Sequence, residues 1–112
     1  MSLHEITGWI VCYDIKDSKR LQRVHRQMIK WGVPLQYSVF LVQASSAQLH
    51  RLMLTLEGQI DTSADDVRAY RIPVQAECHI IGPSILPEDI LISAAPPSSP
   101  LRHRVRVEKV LT

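Results

Sequence analysis

Asp14 ends the apolar run Ile10-Val11-Cys12-Tyr13, and the residues that follow turn densely basic: Lys16, Lys19, Arg20, Arg23, Arg26 and Lys30. Six basic side chains against two acidic ones leave residues 14–30 at +4 in a chain whose formal net charge is +2, so all other residues sum to −2. A positive field this local suits a polyanion held on one surface. The six cations read as phosphate contacts to a nucleic acid, because exposed faces ordinarily mix signs and this one hardly does. Contacts of that kind carry little sequence information and weaken steeply with salt. Two readings of Asp14 stay open: a carboxylate that holds a divalent cation, or one that caps backbone amides of the following turn.

Other reactive side chains show less pattern. His4, His50, His79 and His103 lack the spacing of zinc ligands. His25 sits near the border of a helical core stripe and reads as packed. Asp65 and Asp66, a loop acid pair before a strand, read as solvated. There is no glycine-rich phosphate loop and no nucleophile triad. Cys12 and Cys78 form no CxxC pair; each lies in an apolar strand-like run, which predicts reduced, buried thiols in a reducing compartment.

The elements that must position these residues follow from periodicity. Gly8 to Tyr13 is apolar almost throughout, as a central strand buried on both faces would be. A helix is predicted from Ser18 to Trp31, with Asp17 or Ser18 as N-cap and Gly32 as stop signal. Leu21, Val24, Met28 and Trp31 form its core stripe, and Lys19, Arg23, Arg26 and Lys30 recur at similar steps on another side. Leu35 to Val42 is rich in strand formers. Ser45 and Gln48 have the spacing of a capping box ahead of a second amphipathic helix carrying Leu49, Leu52, Met53, Leu56 and Ile60. Val67 to Ile72 and Gln75 to Ile81 read as further strands, ended by Gly82-Pro83. The pattern fits an α+β, ferredoxin-like sheet with two helices on one face, provided that the segment around Pro34, from Trp31 to Gln43, supplies a hairpin between the helices. In such a sheet the first and last strands are neighbours, which would bring Cys12 towards Cys78.

At 112 residues the chain divides into a core domain, residues 1–82, and a Pro-rich C-terminal extension, residues 83–112, which holds five of the seven prolines. Asp89 to Ser93 and Arg104 to Val107 are strand candidates in the extension; a strand on such an arm often pairs with the edge of another chain. No window approaches the roughly 18 to 20 apolar residues of a membrane span, and the N-terminus lacks a signal-peptide layout, so no membrane contact and a cytoplasmic location are expected.

Taken together, Tyr13-Asp14 at a strand end, Asp17-Ser18-Lys19-Arg20 opening a basic helix, Gly32, Gln36-Tyr37-Ser38-Val39-Phe40 and Asp66-Val67-Arg68-Ala69-Tyr70 resemble the small CRISPR-associated adaptation proteins of the Cas-two family over about residues 8–82. The resemblance implies a ferredoxin-like fold and a symmetric homodimer with C-terminal strand exchange, for which Asp89 to Ser93 is the candidate strand. For function it implies two versions. In one, the homodimer is a nucleic-acid-binding adaptor of spacer acquisition that bridges dimers of the CRISPR integrase and holds double-stranded DNA. In the other, the protein is an autonomous metal-dependent endonuclease cleaving single-stranded RNA or double-stranded DNA, with Asp14 as the catalytic and metal-ligating residue and Mg2+ or another divalent cation at the dimer interface. Ser38 resembles a position near that metal, although a strand hydroxyl is ordinarily satisfied locally. Val33-Pro34-Leu35 departs from the family, whose members often carry a basic residue there.

Overall fold

The computed structural model describes residues 4–73, 77–81 and 106–111. The elements run β1 (Thr7–Asp14), α1 (Ser18–Trp31), β2 (Gly32–Gln36), β3 (Val39–Ala44), α2 (Ser46–Glu57), β4 (Asp66–Ile72), β5 (Glu77–Ile81) and β6 (Arg106–Leu111). The first six build a four-stranded sheet in the order β2-β3-β1-β4, with every neighbouring pair antiparallel. This is the expected ferredoxin-like arrangement, and the apolar first strand is central in it.

The segment expected as one strand from Leu35 to Val42 is two. β2 and β3 form a hairpin that turns at Tyr37-Ser38, with a register irregularity between Pro34 and Gln36. Pro34 has no amide to give a ladder, and it is tolerated because β2 is the edge of the sheet.

Both helices begin as predicted. The Asp17 side chain accepts from the Arg20 amide at 3.0 Å. Ser45 and Gln48 close a reciprocal capping box, with Ser45 Oγ accepting from the Gln48 amide at 3.1 Å and Gln48 Oε1 from the Ser45 amide at 2.9 Å. Gly32 acts differently from a left-handed helix stop: its backbone is extended, φ −155° and ψ −173°, and it already opens β2. Its role is close approach. A Cβ at Gly32 would overlap the Leu41 carbonyl oxygen and lie 2.9 Å from Val42 Cγ2.

One face of the sheet carries the main core. Val11, Tyr13, Phe40 and Val42 pack with Val24 and Met28 of α1 and Leu49, Leu52 and Leu56 of α2; Trp9, Leu21, Trp31, Met53 and Ile60 join from the edges. Trp9 Nε1 donates to the Ala44 carbonyl at 3.0 Å, so this large ring keeps its polar atom satisfied. A smaller apolar cluster, fully buried Leu41 with Ile10, Val33, Leu35 and Ile72, stands apart from the core packed by the helices. β1 is therefore lined by apolar neighbours on both faces, but Cys12 is half-buried and not a fully buried thiol.

The remaining strands correct the sequence reading. β5 pairs with β6, in parallel, in a separate two-stranded sheet, and β4 takes the place beside β1. Cys12 opposes Val39 and Arg68, whereas Cys78 lies in register with Val107, so strand pairing does not bring the two cysteines together. The Cys78 side chain lies outside the described residues. The candidate at Arg104 to Val107 begins at Arg106, runs to Leu111 and ladders onto β5 of its own chain. The candidate exchange strand Asp89 to Ser93 and His103 lie outside the described residues. No helix among them is long and apolar enough to cross a membrane.

Because the Gly32 contact is with backbone, Gly32→Ala should lower stability by about 1–3 kcal/mol, read as a lower urea midpoint at unchanged m-value. Gly58→Ala, whose new Cβ meets nothing closer than 3.6 Å, serves as the matched control and should leave the midpoint nearly unmoved.

Candidate nucleic-acid interface

The basic face is a narrow stripe on α1. At 100° per residue, Lys19, Arg23, Arg26 and Lys30 fall within about 60° of arc, nearly opposite the Val24 and Met28 side. All four are exposed, and none makes an ion pair among the described residues.

The other two cations of the run are spent within the chain. Arg20 lies on the flank of the stripe and meets Asp65, with Nε 2.7 Å from Oδ2 and Nη2 3.2 Å from Oδ1. One edge of its fork is thus taken by Asp65. Lys16 Nζ lies 2.9 Å from Asp14 Oδ2, with both side chains exposed, and that hydrogen bond raises the lysine pKa.

Asp65 is not the solvated loop acid expected. Its side chain is 0% exposed and accepts four hydrogen bonds: the two from Arg20, one from the Lys16 amide at 2.9 Å and one from the Asp61 amide at 2.9 Å. The Arg20 bond, and after it the two amides, hold its carboxyl far below the usual aspartate range against the opposing effect of burial. The turn leading to it is closed by Asp61, which accepts from the Ser63 hydroxyl and amide at 2.6 and 3.0 Å, and these bonds depress the Asp61 pKa. Sequence reasoning missed Asp65 because its cation stands 45 positions away, and nothing local separates it from Asp61 or Asp66.

Asp14 therefore does not cap the following turn: the Lys16 amide goes to Asp65. Asp14 sits exposed at the end of β1, directly opposite Asp66 at the start of β4, so the two carboxylates share one face of the sheet. Each is relieved by a cation two residues on, Asp14 by Lys16 and Asp66 by Arg68 at 2.8 Å. Hard carboxylate oxygens are the donor type that Mg2+ takes, one or two at a time with retained waters. Among the described residues no three His, Cys, Asp or Glu side chains come together.

Beside Asp14 the chain turns to a ring cluster. Tyr13 is 6% exposed and its hydroxyl donates to the Tyr37 carbonyl at 3.0 Å; the same oxygen lies 3.0 Å from His25 Nδ1. The hydroxyl has one proton and the carbonyl can only accept, so Nδ1 carries the histidine proton and donates to Tyr13. Burial, then the proximity of Tyr37, pushes the Tyr13 pKa up to about 12. His25 stacks on Tyr37, with centroids 4.3 Å apart and planes 10° apart, and meets Phe40 edge-on at 5.6 Å. It is packed, as expected. Ser38 uses its carbonyl to accept from the Tyr13 amide at 3.1 Å.

Residues 8–77 match the family model of CRISPR associated protein Cas2. This chain belongs to the Cas2 family. It is 43% identical over 91 residues to a CRISPR-associated endoribonuclease Cas2 of Nitrosomonas europaea, covering 81% of this chain and 87% of that one. A Cas2 endoribonuclease of Thermodesulfovibrio yellowstonii is 36% identical over 74 residues, covering 66% and 81%. Among solved structures, a Cas2 structure aligns at TM-score 0.66 and 30% identity over 78% of this chain and 99% of its own. Streptococcus pyogenes Cas2 at pH 6.5 aligns at TM-score 0.55 and 27% identity over 59% and 86%.

The depressed pKa of Asp65 gives its contribution a sign. Stability from this carboxylate is complete above the ordinary aspartate value of about 3.9 and is lost as pH falls towards the lower folded value. The wild-type urea midpoint should drop as pH falls below about 4, whereas Asp65→Asn should start lower at pH 7 and fall less on acidification. Parallel profiles for the two proteins would place the acid sensitivity elsewhere.

Proposed function

We propose that this Cas2 protein acts in CRISPR spacer acquisition as a homodimeric adaptor that holds double-stranded DNA and bridges dimers of the CRISPR integrase. The observation that carries this reading is the stripe of Lys19, Arg23, Arg26 and Lys30: four exposed cations within one narrow arc, none neutralised by a described acid. Such a stripe contacts phosphates and leaves base identity unread. Lys16 joins it only by giving up Asp14, and Arg20 supports it from beneath through Asp65. In this reading the integrase carries the chemistry.

A second reading, an autonomous Mg2+-dependent endonuclease acting on RNA or duplex DNA, draws on the endoribonuclease names of the relatives and on Asp14 facing Asp66. Asp14 would hold the ion by exchanging Lys16 for it, and two copies across a twofold axis would gain most from a cation between them, since like carboxylates resist joint ionisation. When bound, a divalent ion supplies an activated water at neutral pH. Lys16, once released, is placed to meet a phosphate beside Asp14.

A paired assay separates the two. Labelled duplex DNA and single-stranded RNA are incubated with the wild type, Asp14→Ala and Arg23→Gln/Arg26→Gln, with magnesium and with chelator. The adaptor reading expects salt-sensitive duplex binding without cleavage, unchanged in Asp14→Ala, with the slope of log K against log salt reduced by about 1 to 2 in the double variant. Cleavage that requires both magnesium and Asp14 would make the protein the nuclease. An undiminished slope in the double variant would remove the stripe from the interface.

A further inference from the structure

We infer that Tyr37 is a stacking platform for an unpaired nucleobase, set on the side of α1 between the core and the phosphate-binding stripe. This rests on the nucleic-acid reading above and adds a preference for single-stranded segments to it. Tyr37 is at the tip of the β2–β3 hairpin and is 56% exposed. Tight turns favour Gly, Asn and Asp, so local geometry does not call for an aromatic ring there.

The ring is held ready by its surroundings. One face lies on the imidazole of His25, nearly parallel at 4.3 Å, and His25 in turn meets the buried ring of Phe40. His25 is fixed by its hydrogen bond to Tyr13, and the Tyr37 carbonyl is fixed by the same hydroxyl. Three rings therefore run from core to solvent, Phe40, His25, Tyr37, and the outermost has its remaining surface open. A platform whose orientation is already set loses little freedom when a flat ligand lands on it.

Position points to the ligand. On the α1 wheel His25 lies about 100° from the nearest stripe residue, Arg26, on the side away from Arg20, with the exposed Ile29 between them. Phosphates on the stripe and a base on Tyr37 reproduce the two parts of single-strand recognition, a basic track and an aromatic ring beside it. A duplex keeps its bases stacked inside and can use only the track. The ligand is thus an unpaired base of DNA or RNA, whether within a single strand or at a frayed duplex end.

The test uses the full chain and oligonucleotides carrying one 2-aminopurine flanked by thymines, placed in a single strand, in an overhang of a duplex, or inside the duplex. Tyr37→Leu keeps apolar bulk over His25 without a π face, and Tyr37→Phe keeps the face without the hydroxyl. Expected is fluorescence quenching by the wild type and by Tyr37→Phe with the single strand, lost in Tyr37→Leu together with about tenfold in single-strand affinity, while affinity for the fully paired duplex is unchanged. Quenching in the overhang as well extends the site to frayed ends. Equal quenching and affinity in Tyr37→Leu, or an equal loss for single strand and duplex, would overturn the platform and leave the stripe standing. Failure of the wild type to bind any of the three would remove the nucleic-acid reading and this inference together.

Discussion

One buried carboxylate holds three parts of this molecule in register. Asp65 has no exposed side-chain surface, and a buried charge persists only where cations and donors replace the water it has lost. Here the replacements come from the β1–α1 turn through the Lys16 amide, from the first turn of α1 through Arg20 and from its own loop through the Asp61 amide. None of these segments can shift without orphaning an oxygen. The joint is specific in a way that apolar packing is not, because only one placement of α1 lets the Arg20 fork meet both oxygens.

A helix lying on a sheet can still roll about its axis, and roll decides where its outer face points. Arg20 and His25 lie on opposite flanks of α1. Arg20 ties one flank to the loop before β4, and His25 ties the other to the β2–β3 hairpin through Tyr13 and Tyr37. Val24 and Met28 press the underside into the core between them. With both flanks and the underside fixed, the only side left to face outward is the one bearing Lys19, Arg23, Arg26 and Lys30. The polar and aromatic contacts thus do more than add stability: they aim a charged surface.

What was legible in the sequence follows from the range of the interactions. α1 from Ser18 to Trp31, its core stripe and the Ser45-Gln48 box rest on contacts within one or two turns of helix, and each was readable. So was the central place of β1, since a strand apolar on both sides must be covered on both. The hairpin was readable only as a requirement of the fold, because Leu35 to Val42 carries no glycine or asparagine to mark its turn. Gly32 was read as a helix stop, but its reason lies across the sheet at Leu41, a partner that appears only once β2 and β3 are paired. Asp65 was misread for the same reason at longer range. A carboxylate's burial is decided by the cation that reaches it, and Arg20 comes from the far end of the fold. Its partner Arg20 was equally illegible: in a basic run, one member with an internal partner looks like every other.

That reassignment sharpens what the charge can do. With Arg20 and Lys16 paired internally, the free positive charge of residues 14–30 shrinks to four side chains on one helix. From Lys19 to Lys30 the helix rises about 16 Å at 1.5 Å per residue, roughly half a turn of B-form duplex. On a duplex, a straight stripe of that length would meet the phosphates of one groove edge and then lose the backbone as it curves away. One such stripe would give only a short contact, and a longer hold on a duplex would need a second. In the proposed homodimer, two such stripes carried on rigidly pinned helices would set a definite distance along a duplex. The same rigidity makes the position of Tyr37 meaningful, since a ring that moved relative to the stripe could not register a base against its own phosphate.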